Sequence, residues 1–88
     1  MIQSIAVCAG SGASVLRNVK CDLVLTGEMS HHEVLDLVHK NVSVILTDHS
    51  NSERGFLSKW LLPKLEDHLG RRISLIVSKR DADPLEVV

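Results

Sequence analysis

The sequence has few of the residues on which several common protein classes depend. Among 88 residues there is one Trp, one Phe and no Tyr, so a core must be built mainly from Leu, Val, Ile and Ala. The two cysteines, Cys8 and Cys21, form no CxxC pair. So few cysteines exclude a disulfide scaffold and are typical of free thiols in a reducing compartment. We therefore expect a cytoplasmic protein.

Long apolar runs and a strong charge imbalance are also missing. No segment approaches the roughly 20 apolar residues that a membrane-spanning helix needs. The N-terminus lacks the basic segment and apolar stretch of a secretory signal. Ten Lys and Arg against eleven Asp and Glu give a formal net charge of -1, which leaves no basic footprint for nucleic acid. We expect no membrane insertion and no direct nucleic-acid binding.

The apolar pattern predicts strands and helices in alternation. Four short segments are rich in β-branched residues with little alternation, as in parallel strands buried on both faces: residues 5–9, 23–25, 42–46 and 73–77. Helix signals lie between them, beginning with a short helix within residues 12–19. The sequence therefore predicts one α/β domain over residues 1–88, with βαβαβαβ order, a mostly parallel or mixed sheet and helices packed on it.

Two Ser-x-x-Glu patterns predict where helices begin. Ser30 with Glu33 fits a capping box that opens a helix ending near Asn41. Ser50 with Glu53 precedes the longest predicted helix, which stops at Gly70. Its apolar stripe, which we expect to be buried, comprises Phe56, Leu57, Trp60, Leu61, Leu65 and Leu69.

Pro63 interrupts the longest predicted helix. A proline inside a helix has no N–H to donate, and its ring crowds the carbonyl four residues earlier. We expect a kink or break at residues 59–63.

Polar clusters follow the first three predicted strands, where open α/β sheets bind ligands: residues 10–12, residues 26–28 with His31 and His32, and residues 48–53. The first is a Gly10-Ser11-Gly12 turn. It suits either a loop whose N–H groups cradle an anion or a plain tight turn. It matches neither the dinucleotide fingerprint nor a Walker loop. Gly10 and Gly12 are therefore candidate ligand-binding residues with a structural alternative.

His49 and Glu53 form the most informative pair. Four residues apart across a strand-to-helix junction, they can place an imidazole nitrogen and a carboxylate oxygen on one cation. The alternative is structural, with Glu53 closing the capping box on Ser50 and His49 being an ordinary loop histidine. Spacing alone leaves both interpretations open.

The helix after the second predicted strand carries three more histidines. His31 lies in the first turn, where the helix dipole favours a neutral imidazole able to move a proton. A buried, hydrogen-bonded structural role is the alternative for His31. His32, Asp36 and His39 share the polar side and suit either a metal or, more simply, a solvated stripe.

Three blocks, residues 7–12, 25–32 and 45–57, closely resemble one family when taken in order with Asp83-Pro84-Leu85. It is the Nif-three-like family, also described as GTP cyclohydrolase type 2 homologues, and the similarity is greatest to eukaryotic members. The resemblance implies a metal-binding protein of two related α/β halves, commonly assembled into a hexameric ring. Its two-metal site lies between the halves, and this chain is similar to the C-terminal half.

The resemblance also implies roles for individual residues. His49 and Glu53 correspond to metal ligands for zinc, manganese or iron, with two ions per site in the intact protein. The family's His-His-Pro ligand pair belongs to the other half, and His31-His32 is followed here by Glu33. We therefore take Glu28 and His31 as candidate proton carriers and His32 as a ligand-binding neighbour.

Two functions follow from the resemblance. The first is a metal-dependent hydrolase that acts on a nucleotide or phosphoester. The second is an interaction or assembly module linked to transcriptional co-regulation, which would add the nucleus as a location. With two ligands rather than the usual three, this chain alone is expected to bind metal poorly and to be inactive. Exposed sheet edges predict a homo-oligomer.

Overall fold

A three-stranded parallel sheet is the centre of the first part of the chain. The computed structural model describes all residues 1–88. They divide into two compact units, residues 1–53 and 54–88, and each is described by itself. Along the first unit run β1 (Ile5–Ser11), α1 (Ala13–Leu16), β2 (Leu23–Glu28), α2 (His31–His39), β3 (Ser43–Leu46) and the start of α3 (His49–Phe56). The strand order is β1-β2-β3, and the predicted α/β class is confirmed.

The strand register puts a small apolar core on one face of this sheet. Val24 pairs with Ala6 on one side and Val44 on the other. Val24 is fully buried, and with Ala6 and Leu16 of α1 it forms the core. Partly buried side chains surround these three, namely Cys8, Cys21, Met29, Leu37 and Val42.

The opposite face of the sheet is open. Ile5, Val7 and Ile45 lie on it with 57%, 65% and 48% of their surface exposed. The expectation that these strands are buried on both faces is therefore wrong. The physical reason is topological: in the order β1-β2-β3, two successive right-handed crossovers place both connecting helices on the same face.

Asp22 ties the amino ends of all three strands together. Its Oδ2 accepts hydrogen bonds from the backbone N–H groups of Gln3 (2.8 Å) and Ser4 (2.9 Å) and from the Ser4 hydroxyl (3.1 Å). Its own carbonyl accepts from the N–H of Ser43 at the start of β3 (2.9 Å). These backbone N–H donors lower the pKa of the Asp22 carboxyl from its ordinary 3.8.

The start of α2 is the predicted capping box. The Ser30 hydroxyl accepts from the N–H of Glu33 (3.3 Å), and the Glu33 carboxylate accepts from the N–H of Ser30 (2.9 Å). The second contact lowers the pKa of Glu33. The helix ends at His39, and Asn41 follows with a φ of +59°, so both predicted ends are confirmed to within two residues.

The start of α3 differs from the prediction. The helix begins at His49, so Ser50 lies inside its first turn instead of preceding it. Asp48 adopts a left-handed φ of +69°, and its carbonyl accepts from the N–H of Ser52 (3.1 Å). This backbone turn starts the helix two residues earlier than the Ser-x-x-Glu pattern indicates, at His49 instead of Asn51.

The second unit is mostly helical. After α3 comes a π-helical segment (Leu57–Leu61), then α4 (Leu62–Leu69) and a 3₁₀ turn (Gly70–Arg72). In the π-helical segment the N–H of Leu62 donates to the carbonyl of Leu57, five residues back. Pro63 is the second residue of α4, directly after the π-helical segment, so its missing N–H falls where the regular α-helical hydrogen-bond pattern is already interrupted. The predicted irregularity at residues 59–63 and the stop at Gly70 are both confirmed.

Two expectations for this unit are wrong. Phe56 and Trp60 are exposed by 52% and 63%, so their stripe is not a buried one. Residues 73–77 are not a strand, and Ile76 is 84% exposed. β-branched residues favour a strand when their side chains can pack on a sheet that is partly buried. They do not form a strand where the backbone has no neighbouring strand to pair with. An ion pair between Arg54 and Asp81 lies in the same unit.

We predict that Asp22→Asn lowers the free energy of unfolding at neutral pH. The pKa of the Asp22 carboxyl is lower in the folded protein than the value of 3.8 in the unfolded chain. The carboxylate therefore stabilises the fold fully at pH values above 3.8, and this stabilisation is lost as the pH falls through the lower pKa of the folded protein. Urea unfolding at several pH values should show the two proteins converging in acid. Asp36→Asn, which removes an exposed carboxylate from α2, controls for net charge. If the free energies of unfolding of the wild type and Asp22→Asn differed by the same amount at every pH, the prediction would be contradicted.

Candidate metal site

Polar residues of three segments meet at the carboxyl ends of the strands. Gly10 lies near the end of β1, Glu28 ends β2, and His49 follows β3 at the start of α3. Ser11 is paired with Glu28 in the sheet register. The convergence predicted from the order of polar clusters is therefore present in the structure.

His49 lies between two carboxylates. Its Nδ1 is 2.8 Å from Oε1 of Glu28, and its Nε2 is 3.1 Å from Oε2 of Glu53. About half of each side chain is exposed: 45% for His49, 56% for Glu28 and 51% for Glu53. We call these three residues the His49 cluster. Solvent reaches all of them, so a cation has access.

The two carboxylates raise the pKa of His49 above its ordinary 6.5. The hydrogen bond to Glu28 is the largest cause, partial burial opposes it, and the negative charge of Glu53 adds to it. When the ring is protonated, its Nδ1–H donates to Glu28 and its Nε2–H donates to Glu53. A cation at Nε2 requires that nitrogen to be unprotonated, as is general for histidine ligands.

Two glycines allow α3 to approach the strand ends this closely. Gly10 has a φ of +68°, and a Cβ there would overlap Oε1 of Glu53 and lie 3.0 Å from Nε2 of His49. A Cβ at Gly27 would lie 2.6 Å from the hydroxyl of Ser52. Gly12 lies one step away, where a Cβ would overlap the hydroxyl of Thr26. A side chain at position 10 would therefore overlap the His49 cluster, whereas one at position 12 would overlap Thr26.

Ser52 and Thr26 were not singled out from the sequence, although both lie in its polar clusters. The Ser52 hydroxyl accepts from the N–H of Gly10 (2.7 Å) and donates to the carbonyl of His49 (2.7 Å). Thr26 is buried, and its hydroxyl donates to the carbonyl of Gly10 (3.2 Å). Ser52 therefore joins the first turn of α3 to the end of β1, and Thr26 joins β2 to the same residue of β1.

The histidines of α2 are on the surface of the protein. His31 and His32 are both exposed, and their rings meet edge to face with centroids 6.0 Å apart. The alternative of a buried structural His31 is therefore wrong. His32, Asp36 and His39 are all exposed, as in a solvated stripe. Proton transfer by Glu28 or His31 and ligand binding by His32, Gly10 and Gly12 stay predictions.

The donor pair of His49 and Glu53 suits a divalent cation. Nitrogen and oxygen ligands bind zinc at about 2.0–2.2 Å, which puts neighbouring tetrahedral ligands about 3.3 Å apart. The observed separation of Nε2 and Oε2 is 3.1 Å. No group of three or more His, Cys, Asp or Glu side chains is arranged to hold a metal ion. The pair therefore fits as two ligands of a site that needs others.

Sequence comparisons identify the family. The family model Duf34/NIF3 (NGG1p interacting factor 3) matches residues 1–84. This chain belongs to the DUF34/NIF3 family. NIF3-like protein 1 of Homo sapiens is 54% identical over 87 residues, which cover 99% of this chain and 23% of that protein. The resemblance noted from the three sequence blocks is therefore confirmed.

More distant organisms have similar DUF34/NIF3 proteins. NIF3-like protein 1 of Drosophila melanogaster is 52% identical over 88 residues, covering 100% of this chain and 30% of that protein. NGG1-interacting factor 3 of Saccharomyces cerevisiae is 49% identical over 88 residues, covering 98% of this chain and 30% of that protein. The chain thus spans less than a third of the length of these relatives. None of the helices combines the length and the apolar composition of a membrane span.

We predict opposite effects for two Gly→Ala substitutions. Gly10→Ala should destabilise the protein by about 1–2 kcal/mol through its positive φ alone, and further by displacing Glu53. Gly55→Ala is the matched control, because a Cβ there meets nothing within 4 Å and alanine favours the α3 helix by about 0.5–1 kcal/mol. Thermal unfolding should separate the two variants. Equal stability of the two variants would contradict the close approach of α3 to the end of β1.

Proposed function

We propose that this chain supplies His49 and Glu53 to a divalent metal site of a DUF34/NIF3 hydrolase. The 3.1 Å separation of Nε2 and Oε2 is the observation that supports it most directly. The remaining ligands come from outside this chain, either from the rest of the longer protein or from another copy. The substrate class we propose is a nucleotide or phosphoester.

Each residue of the His49 cluster has a part in this proposal. Nε2 of His49 and a carboxylate oxygen of Glu53 hold the cation, and α3 fixes their spacing at one helical turn. When bound, zinc, manganese or iron supplies the Lewis acidity that activates water near neutral pH. His31, exposed in the first turn of α2, is the proposed proton carrier.

An assembly or interaction module is the second candidate function. The open sheet face of Ile5, Val7 and Ile45 is the observation that favours it, because exposed apolar patches are typical of protein-binding surfaces. The name of the yeast relative, NGG1-interacting factor 3, describes that protein as interacting with NGG1. We propose that this face is covered by a second copy of the chain, which gives a homo-oligomer.

We predict that zinc binds at the His49 cluster and that His49→Ala and Glu53→Ala each weaken it. Each substitution removes a metal ligand. The zinc affinity should therefore fall by more than the about 10- to 100-fold that is typical when a residue hydrogen-bonded to a ligand is removed. Amide NMR spectra recorded during Zn²⁺ titration detect weak binding and locate it. His39→Ala, which removes an exposed histidine of α2, is the control. Zinc shifts centred away from α3 would contradict the assignment.

A separate prediction concerns the open sheet face. The wild-type chain should self-associate at tens of micromolar in light scattering, and Val7→Glu should make it monomeric by placing a charge on that face. Val15→Glu is the control, because Val15 is equally exposed but lies on α1 (67%). Glu53→Ala should lose zinc and keep its association. A monomeric wild type would rule out a second copy as the partner of this face.

A further inference from the structure

We propose that Glu28 is a positioning residue that sets the tautomer of His49 and so leaves Nε2 free for a cation. This inference rests on the proposed metal site and assigns a role to a side chain outside the ligand pair. The two carboxylates of the cluster then have different roles: Glu53 is a metal ligand, and Glu28 positions the ring of the other ligand, His49.

The contact at Nδ1 determines where the ring proton lies. Oε1 of Glu28 is 2.8 Å from Nδ1, and a carboxylate oxygen only accepts hydrogen bonds. Oε2 of Glu53 faces Nε2 at the longer distance of 3.1 Å, so the geometry favours the single proton of the neutral ring on Nδ1. A neutral imidazole has a single N–H, so its Nε2 then presents a lone pair. Histidine ligands commonly donate their second N–H to a carboxylate in this way.

The backbone holds Glu28 on the Nδ1 side of the ring. Glu28 ends β2, and its position is paired with Ser11 of β1. The preceding Gly27 is buried, and a Cβ there would lie 3.0 Å from Cα of His49. The sheet therefore presents one carboxylate to Nδ1, whereas the helix presents Glu53 to Nε2 from four residues further along. The ring cannot exchange these partners without turning over.

Loss of Glu28 should reverse the arrangement. Glu53 would be the remaining carboxylate next to the ring, and it is placed to accept a hydrogen bond from Nε2–H. The neutral ring would then carry its proton at Nε2, where the cation binds. A metal would have to displace that proton and shift the ring to its other tautomer before binding.

The first experiment measures the tautomer without metal. Long-range ¹H–¹⁵N NMR of the histidine rings, recorded above the pKa of His49, distinguishes a proton on Nδ1 from one on Nε2. We expect the Nδ1–H form in the wild type and the Nε2–H form in Glu28→Ala. Glu28→Gln should retain the Nδ1–H form, because the amide oxygen still accepts. Glu86→Ala, which removes an exposed carboxylate near the C-terminus, should match the wild type.

The second experiment measures zinc affinity in the same four proteins by Zn²⁺ titration. Glu28→Ala should bind about 10- to 100-fold more weakly, and Glu28→Gln should recover most of the loss. The same His49 tautomer in the wild type and Glu28→Ala would overturn the positioning role, whatever the zinc result. Absence of zinc binding at His49 in the wild type would instead overturn the proposed function, while the tautomers would still decide the role of Glu28.

Discussion

The candidate site depends on how closely the first turn of α3 approaches the ends of β1 and β2. Side chains at positions 10 and 27 would fill the space that Glu53, His49 and Ser52 occupy. The Ser52 hydroxyl then joins the two backbones with hydrogen bonds of 2.7 Å on either side. Because this contact fixes the first turn of α3, it also fixes the ring of His49 between its carboxylates.

The two ends of the sheet are organised by different means. At the amino ends the Asp22 carboxylate accepts hydrogen bonds from backbone N–H groups, which is a structural role. At the carboxyl ends the backbone turns away into helices, which leaves side chains of three segments facing one another. Parallel strands make this division general, since all their carboxyl ends lie at one edge of the sheet. The proposed metal ligands of this chain therefore lie at the edge where the strands end.

Local interactions could be predicted from the sequence, and distant ones could not. The Ser30 capping box, the irregularity before Pro63 and the spacing of His49 and Glu53 each depend on residues within one or two turns. The contact of Glu28 with His49 joins positions 21 residues apart, and nothing in the spacing specifies it. The role of Ser52 likewise requires the strand ends to be in place. Residues 73–77 have strand composition but no partner, and composition alone does not reveal that difference.

The π-helical segment and Pro63 compensate for one another. An α-helix gains about 100° of rotation per residue, so the extra residue in a π turn rotates every later side chain around the axis by that amount. Deleting one residue from Leu57–Leu61 would restore regular α-helical spacing, and the Pro63 ring would then meet the carbonyl four residues before it. Replacing the proline alone would leave a widened turn with no local cause. The two features should therefore be gained or lost together among related sequences, as a coupled insertion and substitution.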